Sequence, residues 1–213
     1  MSGILVIQEA GRNRISFEAL AAGSALVELT GLSLETAAIG DPNSNVFVET
    51  SGTPPAVAHA IQHHLLETYT SDGYVHAFEQ LIRKLDPSYI VFPHTYQTRD
   101  YAPRLATRFG QVLTSDVTAI EAGPAFVRQL FQGKMTGNYR HQGDGPCFIS
   151  IQAGAFRANP PQEGKTTILP FEPQMTDDVI RTSPGAPFRG AAQTVDLGSA
   201  QLIVAVGRGH QGR

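Results

Sequence analysis

The segment spanning residues 89–121 constrains the fold most, because a strand, a loop, a helix and a second strand follow one another there with almost no filler. The run from Tyr89 to Phe92 is aromatic and β-branched, and Pro93 then interrupts strand pairing. An amphipathic helix follows, and it tolerates Pro103 because the first backbone N–H groups of a helix have no intrahelical partner. Gly110 ends it, as a glycine just beyond a helix does. We predict one β-α-β unit here.

The polar loop and the first turn of this helix hold the charged residues of the unit. We predict that Thr98 caps the helix and that Asp100 interacts favourably with the positive end of the helix dipole. Arg104 lies one turn after Asp100, so the spacing favours an i, i+4 ion pair. A functional alternative makes residues 94–99 part of a ligand site, because open α/β sheets hold ligands at the carboxyl ends of their strands.

Strands and helices also alternate in the preceding part of the chain. Continuous apolar runs predict strands at residues 3–7, 34–40 and 45–49. Apolar spacing of three and four residues, or a proline-rich start, predicts helices at residues 15–29, 54–67 and 70–84. Buried strands that alternate with amphipathic helices are typical of a mostly parallel sheet with helices on both faces. The predicted fold class is therefore α/β.

The pattern of apolar and polar residues changes after Glu121. Residues 126–131 and 147–151 alternate in polarity and are separated by several glycines, which predicts a few antiparallel or edge strands. Residues 158–190 contain six prolines and little apolar periodicity. This composition indicates a connector that holds one short strand near residues 166–168.

Composition narrows the class of function. The chain of 213 residues has a formal net charge of −3 and only 16% charged residues, so it offers no basic field for nucleic acid or an anionic membrane. Its one cysteine, Cys147, cannot form an internal disulfide, and no apolar run approaches the roughly 20 residues that span a bilayer. The amino terminus lacks a signal-peptide pattern. We expect a soluble protein with a cytoplasmic location.

Two kinds of chemistry are disfavoured by the residues themselves. His59 and His63 lie four residues apart on a predicted helix, but no glutamate completes a His-Glu-x-x-His motif and no further cluster supplies a third ligand. We interpret these two residues and His64 as solvated helix histidines and expect no metal site. No Gly-x-Ser-x-Gly elbow is present, and Cys147 lies in a predicted strand without a nucleophile signature. We expect no catalytic residues in this chain.

The amino-acid sequence of the β-α-β unit resembles the pattern of one protein family. Residues 99–110 read Arg-Asp-Tyr-Ala-Pro-Arg-Leu-Ala-Thr-Arg-Phe-Gly, and residues 114–121 read Thr-Ser-Asp-Val-Thr-Ala-Ile-Glu. The pair is similar to the amino-terminal domain of the electron transfer flavoprotein alpha subunit, with its Gly-Arg-Asp-x-x-Pro-Arg-x-Ala-x-Arg-x-Gly helix and Ser-Asp-Val-Thr strand. Only the first glycine differs, being Thr98 here. Arg128, the Gly133-Lys134 pair and residues 153–156 match later parts of the family pattern.

The resemblance implies a Rossmann-like fold of the adenine nucleotide alpha hydrolase type, and it divides the chain in two. Residues 1–190 correspond to the amino-terminal α/β domain with its proline-rich connector, and residues 198–213 to the first strand and glycine turn of a truncated FAD-binding domain. In the turn Gly207-Arg208-Gly209, backbone N–H groups can approach an anion and Arg208 can pair with it. Relatives have that arginine beside the flavin ring, so these three residues are the expected cofactor contacts.

The function implied by the resemblance is electron transfer. The family forms a heterodimer of alpha and beta subunits, in which FAD accepts electrons from flavin dehydrogenases and passes them to a membrane-associated quinone reductase. The adenine nucleotide of such complexes lies in the beta subunit. For this chain the resemblance implies a structural and docking task without enzymatic activity, and no FAD bound by this polypeptide alone.

Two alternatives stay open at the level of sequence. One is a free-standing nucleotide-binding α/β domain that uses the loops at residues 40–44 and 93–99. Its weakness is that neither loop offers a phosphate cradle with a lysine, or a general base with a defined partner. The other is a flavin-free scaffold whose gene ends naturally at Arg213. A reading frame that continues, or a neighbouring beta-subunit gene, would discriminate between these possibilities.

Overall fold

The computed structural model describes residues 3–43, 57–158, 166–186, 202–205 and 207. The described residues form one nine-stranded sheet with helices on both faces. Its strands are β1 (Gly3–Ile7), β2 (Ser33–Ile39), β3 (Val57–Ile61), β4 (Tyr89–Pro93), β5 (Leu113–Glu121), β6 (Ala125–Leu130), β7 (Met135–Tyr139), β8 (Cys147–Ile151) and β9 (Thr167–Phe171). The described helices are α1 (Asn13–Thr30), α2 (Ser71–Leu85), α3 (Tyr96–Arg108) and the short 3₁₀ helices His64–Leu66 and Asp177–Val179.

The strand order is β7-β6-β5-β8-β4-β1-β2-β3-β9. All pairs from β5 through β8, β4, β1, β2 and β3 to β9 are parallel, whereas β6 and β7 extend the sheet in antiparallel fashion. Because β2 and β4 flank β1 on opposite sides, the order of the strands reverses between β1 and β4. The structure confirms the predicted α/β class and its few antiparallel strands.

Alternate residues of the central strands supply the two halves of the core. On β1, Leu5 and Ile7 pack with Phe78 of α2 and Leu105 of α3, whereas Ile4 and Val6 pack on the opposite face against α1. All of these side chains are almost completely buried. A strand covered on both faces must be apolar at every position, which is why β1 reads as an unbroken apolar run.

Helix α1 lies unusually close to the sheet. A Cβ atom at Gly23 would lie 2.6 Å from Cγ2 of Val6 and 2.9 Å from Cδ1 of Leu34, distances that real side chains do not reach. The absence of a side chain at Gly23 therefore sets the height of α1 above β1 and β2.

The helix predicted for residues 54–67 is wrong. Residues 57–61 form β3, which pairs in parallel with β2 and with β9. Among the described residues of this region, only the single 3₁₀ turn His64–Leu66 is helical. Alanine and histidine carry no strong strand preference, so pairing with two distant strands overrides local propensity. The strand predicted at residues 45–49 lies outside the described residues.

The segment 147–151 also differs from expectation. Cys147–Ile151 is a central parallel strand, β8, between β4 and β5, and all five of its residues are buried. Its Ser150 suggested an alternating strand, yet continuous burial is typical of a strand covered on both faces. The short connector strand is confirmed as β9, whose Pro170 is tolerated because β9 is an edge strand.

The helix of the β-α-β unit begins earlier than predicted, at Tyr96. Pro103 therefore lies in the helix interior, where it cannot donate a hydrogen bond to the carbonyl of Arg99. Phe109 is the last capping residue and Gly110, at φ +66°, follows it in the left-handed conformation. The predicted glycine stop is thus confirmed.

Residues 202–205, predicted to form part of a strand, have no regular secondary structure in the described chain. Leu202, Ile203 and Val204 have exposed fractions of 81%, 57% and 77%. A strand of this apolar character needs neighbouring strands to pair its backbone, and the described residues provide none. The division into a domain at 1–190 and a second at 198–213 stays a prediction.

After β9 the chain returns across α2 as a segment that we call the strap, residues 172–181. The backbone N–H of Gln174 donates to Oε1 of Gln80 at 2.8 Å, and Nε2 of Gln80 donates to the Gln174 carbonyl at 2.9 Å. At the far end Nη2 of Arg181 lies 2.7 Å from Oδ1 of Asp72, whose side chain is only 8% exposed. The Arg181 guanidinium and backbone N–H hold the pKa of Asp72 below its ordinary value of 3.8, against the opposing effect of burial.

We expect Asp72→Asn to lower the melting temperature at neutral pH, because it removes the charge that binds Arg181. A carboxylate whose pKa is depressed by folding stabilises the protein above its unfolded-state pKa, and this stabilisation disappears as the pH falls through the folded-state value. The difference between wild type and variant should therefore narrow below pH 3.8. Thermal unfolding as a function of pH checks this. Asp177→Asn, which alters an exposed carboxylate of the strap, is the control, and an equal effect of both variants would contradict the expectation.

Candidate functional site

A cleft of about 1090 Å³ opens at the carboxyl edge of the sheet, where the strand order reverses between β1 and β4. We call it the switch-point cleft. Its walls are the loop between β1 and α1, the start of α3 and the loop after β8, and they include Glu9, Arg14, His94, Tyr96, Arg99 and Gly154. Open α/β sheets hold ligands at such a position because two loops diverge there. The predicted loop of residues 94–99 does line this cleft.

The loop between β1 and α1 is tied to its helix by Ser16. The Ser16 hydroxyl accepts a hydrogen bond from the Glu9 backbone N–H at 3.0 Å and lies 3.3 Å from the Glu9 carbonyl. Gly11, at φ +75°, allows the tight turn between them. Arg12 occupies the N-cap position of α1 without a side-chain capping bond. The amino terminus of α1 thus faces the cleft without the usual Ser, Thr, Asp or Asn cap.

The cap of α3 is Thr95, and the prediction that Thr98 caps this helix is wrong. The Thr95 hydroxyl accepts from the backbone N–H of Thr98 at 3.0 Å and donates a short hydrogen bond to Oε2 of Glu9. Thr98 itself is completely buried, because the helix starts at Tyr96 and turns Thr98 towards the core. Thr98 is the third residue of the helix, so its backbone N–H is the donor that the Thr95 cap binds.

The two carboxylates of the cleft, those of Glu9 and Glu18, form ion pairs with arginines of its lining. The Glu18 side chain is 5% exposed, accepts from the Gly154 N–H at 2.6 Å and lies 3.4 Å from Nε of Arg14. Glu9 lies 3.8 Å from Nε of Arg12. These pairings leave little net positive charge for an anionic ligand.

An aromatic ring projects from the rim of the same cleft. Tyr96 is 87% exposed, and the Arg99 guanidinium lies 5.7 Å from its ring centroid. A guanidinium at this distance interacts with the ring quadrupole, though weakly in water. The rim therefore offers a planar surface and one cation that is paired with no carboxylate among the described contacts.

A histidine, a serine and an aspartate meet beside the cleft, a grouping that sequence reasoning missed. Nδ1 of His94 lies 2.9 Å from Oγ of Ser150, and Nε2 lies 3.9 Å from Oδ1 of Asp116. Burial lowers the pKa of His94, and Arg99 and Arg128 act in the same direction, whereas the Asp116 carboxylate opposes them. The grouping requires β8 to lie between β4 and β5, a neighbourhood that the sequence did not predict.

The geometry of this trio does not suit nucleophilic catalysis. Ser150 is completely buried and its hydroxyl already accepts from the Asp116 N–H at 3.3 Å. A serine nucleophile is instead exposed and hydrogen-bonded to Nε2 of its histidine, while the acid holds Nδ1. Asp116 adopts φ +61° where β5 shifts register against β8. We interpret the trio as a support that holds this irregular segment against β4.

The ion pair predicted between Asp100 and Arg104 is wrong. Oδ2 of Asp100 accepts from the Tyr69 hydroxyl at 2.8 Å, and Nη1 of Arg104 donates to Oγ of Ser71 at 2.9 Å. Arg104 also lies 3.7 Å from Oδ1 of Asp72. The alternative partners lie just before α2 and in its first turn, so tertiary contacts override the helical spacing. Burial and the Asp100 carboxylate raise the pKa of Tyr69, which keeps its hydroxyl protonated as the donor.

The three clustered histidines do not share a helix. His59 is a buried residue of β3 whose Nε2 lies 2.6 Å from Oε2 of Glu35. Nδ1 of His63 accepts from the Leu65 N–H at 3.2 Å at the start of the 3₁₀ turn. The interpretation as solvated helix histidines is therefore wrong for His59 and His63, whereas His64 is exposed in the 3₁₀ turn. Within the described ranges, no three His, Cys, Asp or Glu side chains are placed to hold a metal ion.

The remaining predicted site residues lie apart from the cleft or outside the described chain. Cys147 is buried at the start of β8, and burial raises the pKa of its thiol to about 12, which disfavours the reactive thiolate. Gly207 is exposed and has no regular secondary structure. Arg208 and Gly209 lie outside the described residues.

The fold and the cleft define an open α/β protein with a crevice at its switch point. The family model of the electron transfer flavoprotein domain matches residues 4–173. The chain is 24% identical over 202 residues to the electron transfer flavoprotein subunit alpha of Thermoanaerobacterium thermosaccharolyticum, covering 92% of this chain and 61% of the relative. It is 30% identical over 148 residues to the Bacillus subtilis subunit alpha, covering 68% of this chain and 45% of that relative. The Clostridium acetobutylicum subunit alpha is 24% identical over 209 residues, with 92% and 61% covered.

The chain therefore belongs to the electron transfer flavoprotein domain family, and the resemblance to its alpha subunits is confirmed. It spans 61%, 45% and 61% of the lengths of these three relatives. Among the described residues, no helix combines the length and apolar character needed to cross a bilayer.

We expect Thr95→Ala to reduce the free energy of unfolding by about 1 kcal/mol, because the α3 N-terminus loses its cap and Glu9 loses its hydroxyl donor. Thr95→Ser, which keeps the hydroxyl, should change the stability little. Urea denaturation measures both, with Thr107→Ala on the exposed side of α3 as a control. An unchanged stability in Thr95→Ala would contradict the assigned cap.

Proposed function

We propose that this chain is the alpha-type subunit of an electron transfer flavoprotein and acts in a heterodimer with a beta subunit. In the complete heterodimer FAD takes electrons from flavin dehydrogenases and passes them to a quinone reductase. The observation that carries the proposal is the family match over residues 4–173, together with curated relatives that are named alpha subunits. The cytoplasm is the compartment that this role favours.

The task of residues 4–173 in this proposal is structural. The cleft carboxylates already pair with Arg12 and Arg14, so the cleft does not fit the anionic phosphates of a flavin dinucleotide. The flavin contacts instead fall to Gly207, Arg208 and Gly209 and to sequence that relatives carry beyond them. The amino-terminal domain then shapes the complex and contacts the partner subunit. It carries electrons only through the assembled flavoprotein and is not an enzyme by itself.

The first test compares two co-expressions with the beta subunit of the same organism, one with the full reading frame of the gene and one with residues 1–213. We expect a complex with flavin absorption bands from a chain as long as the relatives, and a complex without these bands from residues 1–213. Native mass spectrometry and visible spectra measure both. Failure of the longer chain to bind either the beta subunit or flavin would overturn the proposal.

A variant pair sharpens this test. Arg208→Gln in the longer chain should weaken flavin binding and leave the subunit association intact, because one cation beside an anionic cofactor is lost. Arg157→Gln, at an exposed position of the described domain, is the matched control. Equal flavin content in both variants would show that Arg208 does not contact the cofactor.

A second candidate, a nucleotide-binding α/β domain, is favoured by the position of the cleft and by Arg99 beside Tyr96, which has no carboxylate partner among the described contacts. Calorimetric titration of residues 1–213 with AMP, ADP and inorganic phosphate discriminates the two functions. We expect no binding under the electron transfer proposal. Micromolar nucleotide affinity that Arg99→Ala abolishes, with Arg157→Ala as control, would favour the second candidate.

A further inference from the structure

The hairpin formed by β6 and β7, residues 125–139, lies at one end of the strand order and is separated from β4 by β5 and β8. These two strands end the strand order on their side, so no described strand pairs with the outer edge of β7. Four of the five residues of β7 are exposed, and Gly137 is half-buried. An unprotected edge of this kind is a template for association with another chain.

Large apolar side chains are exposed on this hairpin. Phe131 at its tip is 72% exposed, Met135 is 57% exposed and Tyr139 is 38% exposed. Exposed aromatic and methionine side chains gathered on one element are typical of protein interfaces. Scattered single residues would need no such explanation, but these three lie within nine positions of the chain.

The tip holds its aromatic ring in an unfavourable backbone conformation. Phe131 and Gln132 have φ values of +50° and +59°, and Gly133 follows at +82°. The left-handed region costs a bulky side chain roughly 1–2 kcal/mol, and an exposed phenylalanine gains nothing from burial in return. Strain of this kind is common where a side chain is presented for binding.

The hairpin is also a basic patch on an acidic chain. Residues 122–143 contain Arg128, Lys134 and Arg140 but no aspartate or glutamate, although the whole chain has a net charge of −3. The flanking Glu121 contributes one carboxylate, which accepts from Nδ2 of Asn138 at 3.1 Å and leaves the positive charges in the majority. Arg128 lies 5.9 Å from the Tyr139 ring centroid, and Arg140 packs over the Gly123 turn. Lys134 stands beside Phe131 at the tip, and its backbone N–H donates to the Phe131 carbonyl at 3.3 Å.

We propose that the β6–β7 hairpin is the docking surface for a second polypeptide whose contact surface is acidic. The partner covers the rings of Phe131 and Tyr139 and the Met135 side chain, and its carboxylates face Lys134 and Arg140. The proposal rests on the proposed function, since in that complex the partner is the beta subunit. Because the hairpin is positively charged, we expect its partner to present an acidic surface, since opposite charges guide and orient association.

Two substitutions on the hairpin test this surface. Phe131→Asn removes the ring, and asparagine adopts the left-handed conformation readily, so the variant should fold at least as well as wild type. Lys134→Glu reverses one exposed charge. Val112→Asn is the matched control, because Val112 is 78% exposed and lies in the loop before β5, outside the hairpin.

The dissociation constant of the complex with the beta subunit is measured by calorimetry at low and high salt, after melting curves have shown that each variant folds. We expect Phe131→Asn to weaken binding about tenfold or more, as the loss of a central aromatic contact does. Lys134→Glu should weaken binding most at low salt, because salt screens the charge interaction. Val112→Asn should bind as wild type does.

The outcomes separate this inference from the proposed function. A complex that forms equally well with wild type and both hairpin variants overturns the docking surface and leaves the heterodimer intact. A wild-type chain that forms no complex with the beta subunit overturns both. A homodimer of the chain alone, seen by light scattering and dissociated by Phe131→Asn, would assign the hairpin to a second copy and overturn the acidic partner.

Discussion

The structure depends on the parallel pairing of β1 with β2 on one side and β4 on the other. Strand β1 must be apolar on both faces, since α1 covers one face of the sheet and α2 and α3 cover the other. The same pairing creates the reversal of strand order at the carboxyl edge. Core and cleft are therefore products of one constraint, and a change that shifted β1 would alter both.

The sequence predicted those elements whose pattern is local. Apolar runs and helical spacing identified β1, α1, α2 and the β-α-β unit, because each buries a face that its own residues define. Residues 57–61 show where this reasoning stops. Their alanines favour a helix by intrinsic propensity, and pairing with the distant strands β2 and β9 makes them extended. The prolines at the start of residues 54–67 also fit the first turn of a helix, so they favoured the wrong prediction.

The candidate site was predictable in position but not in its contacts. Carboxyl-end loops lie together in any parallel sheet, so the loop at residues 94–99 could be placed at the edge. The bonds of Glu18 to Gly154 and of His94 to Ser150 join residues 136 and 56 positions apart, and they depend on β8 lying beside β4. No spacing in the sequence encodes that neighbourhood. Helical spacing failed for Asp100 for the same reason, because its partner Tyr69 belongs to another part of the chain.

The strap has a consequence for whatever chain follows it. Asp72 lies in the first turn of α2, and this end of the helix faces the carboxyl edge of the sheet because a crossover helix runs opposite to its strands. By binding Arg181 there, it anchors the chain at the edge that also carries the switch-point cleft. A segment that follows such an anchor closely in the chain is held near that edge at an effective concentration on the order of millimolar. Weak contacts between that segment and the edge would then suffice to keep the two together.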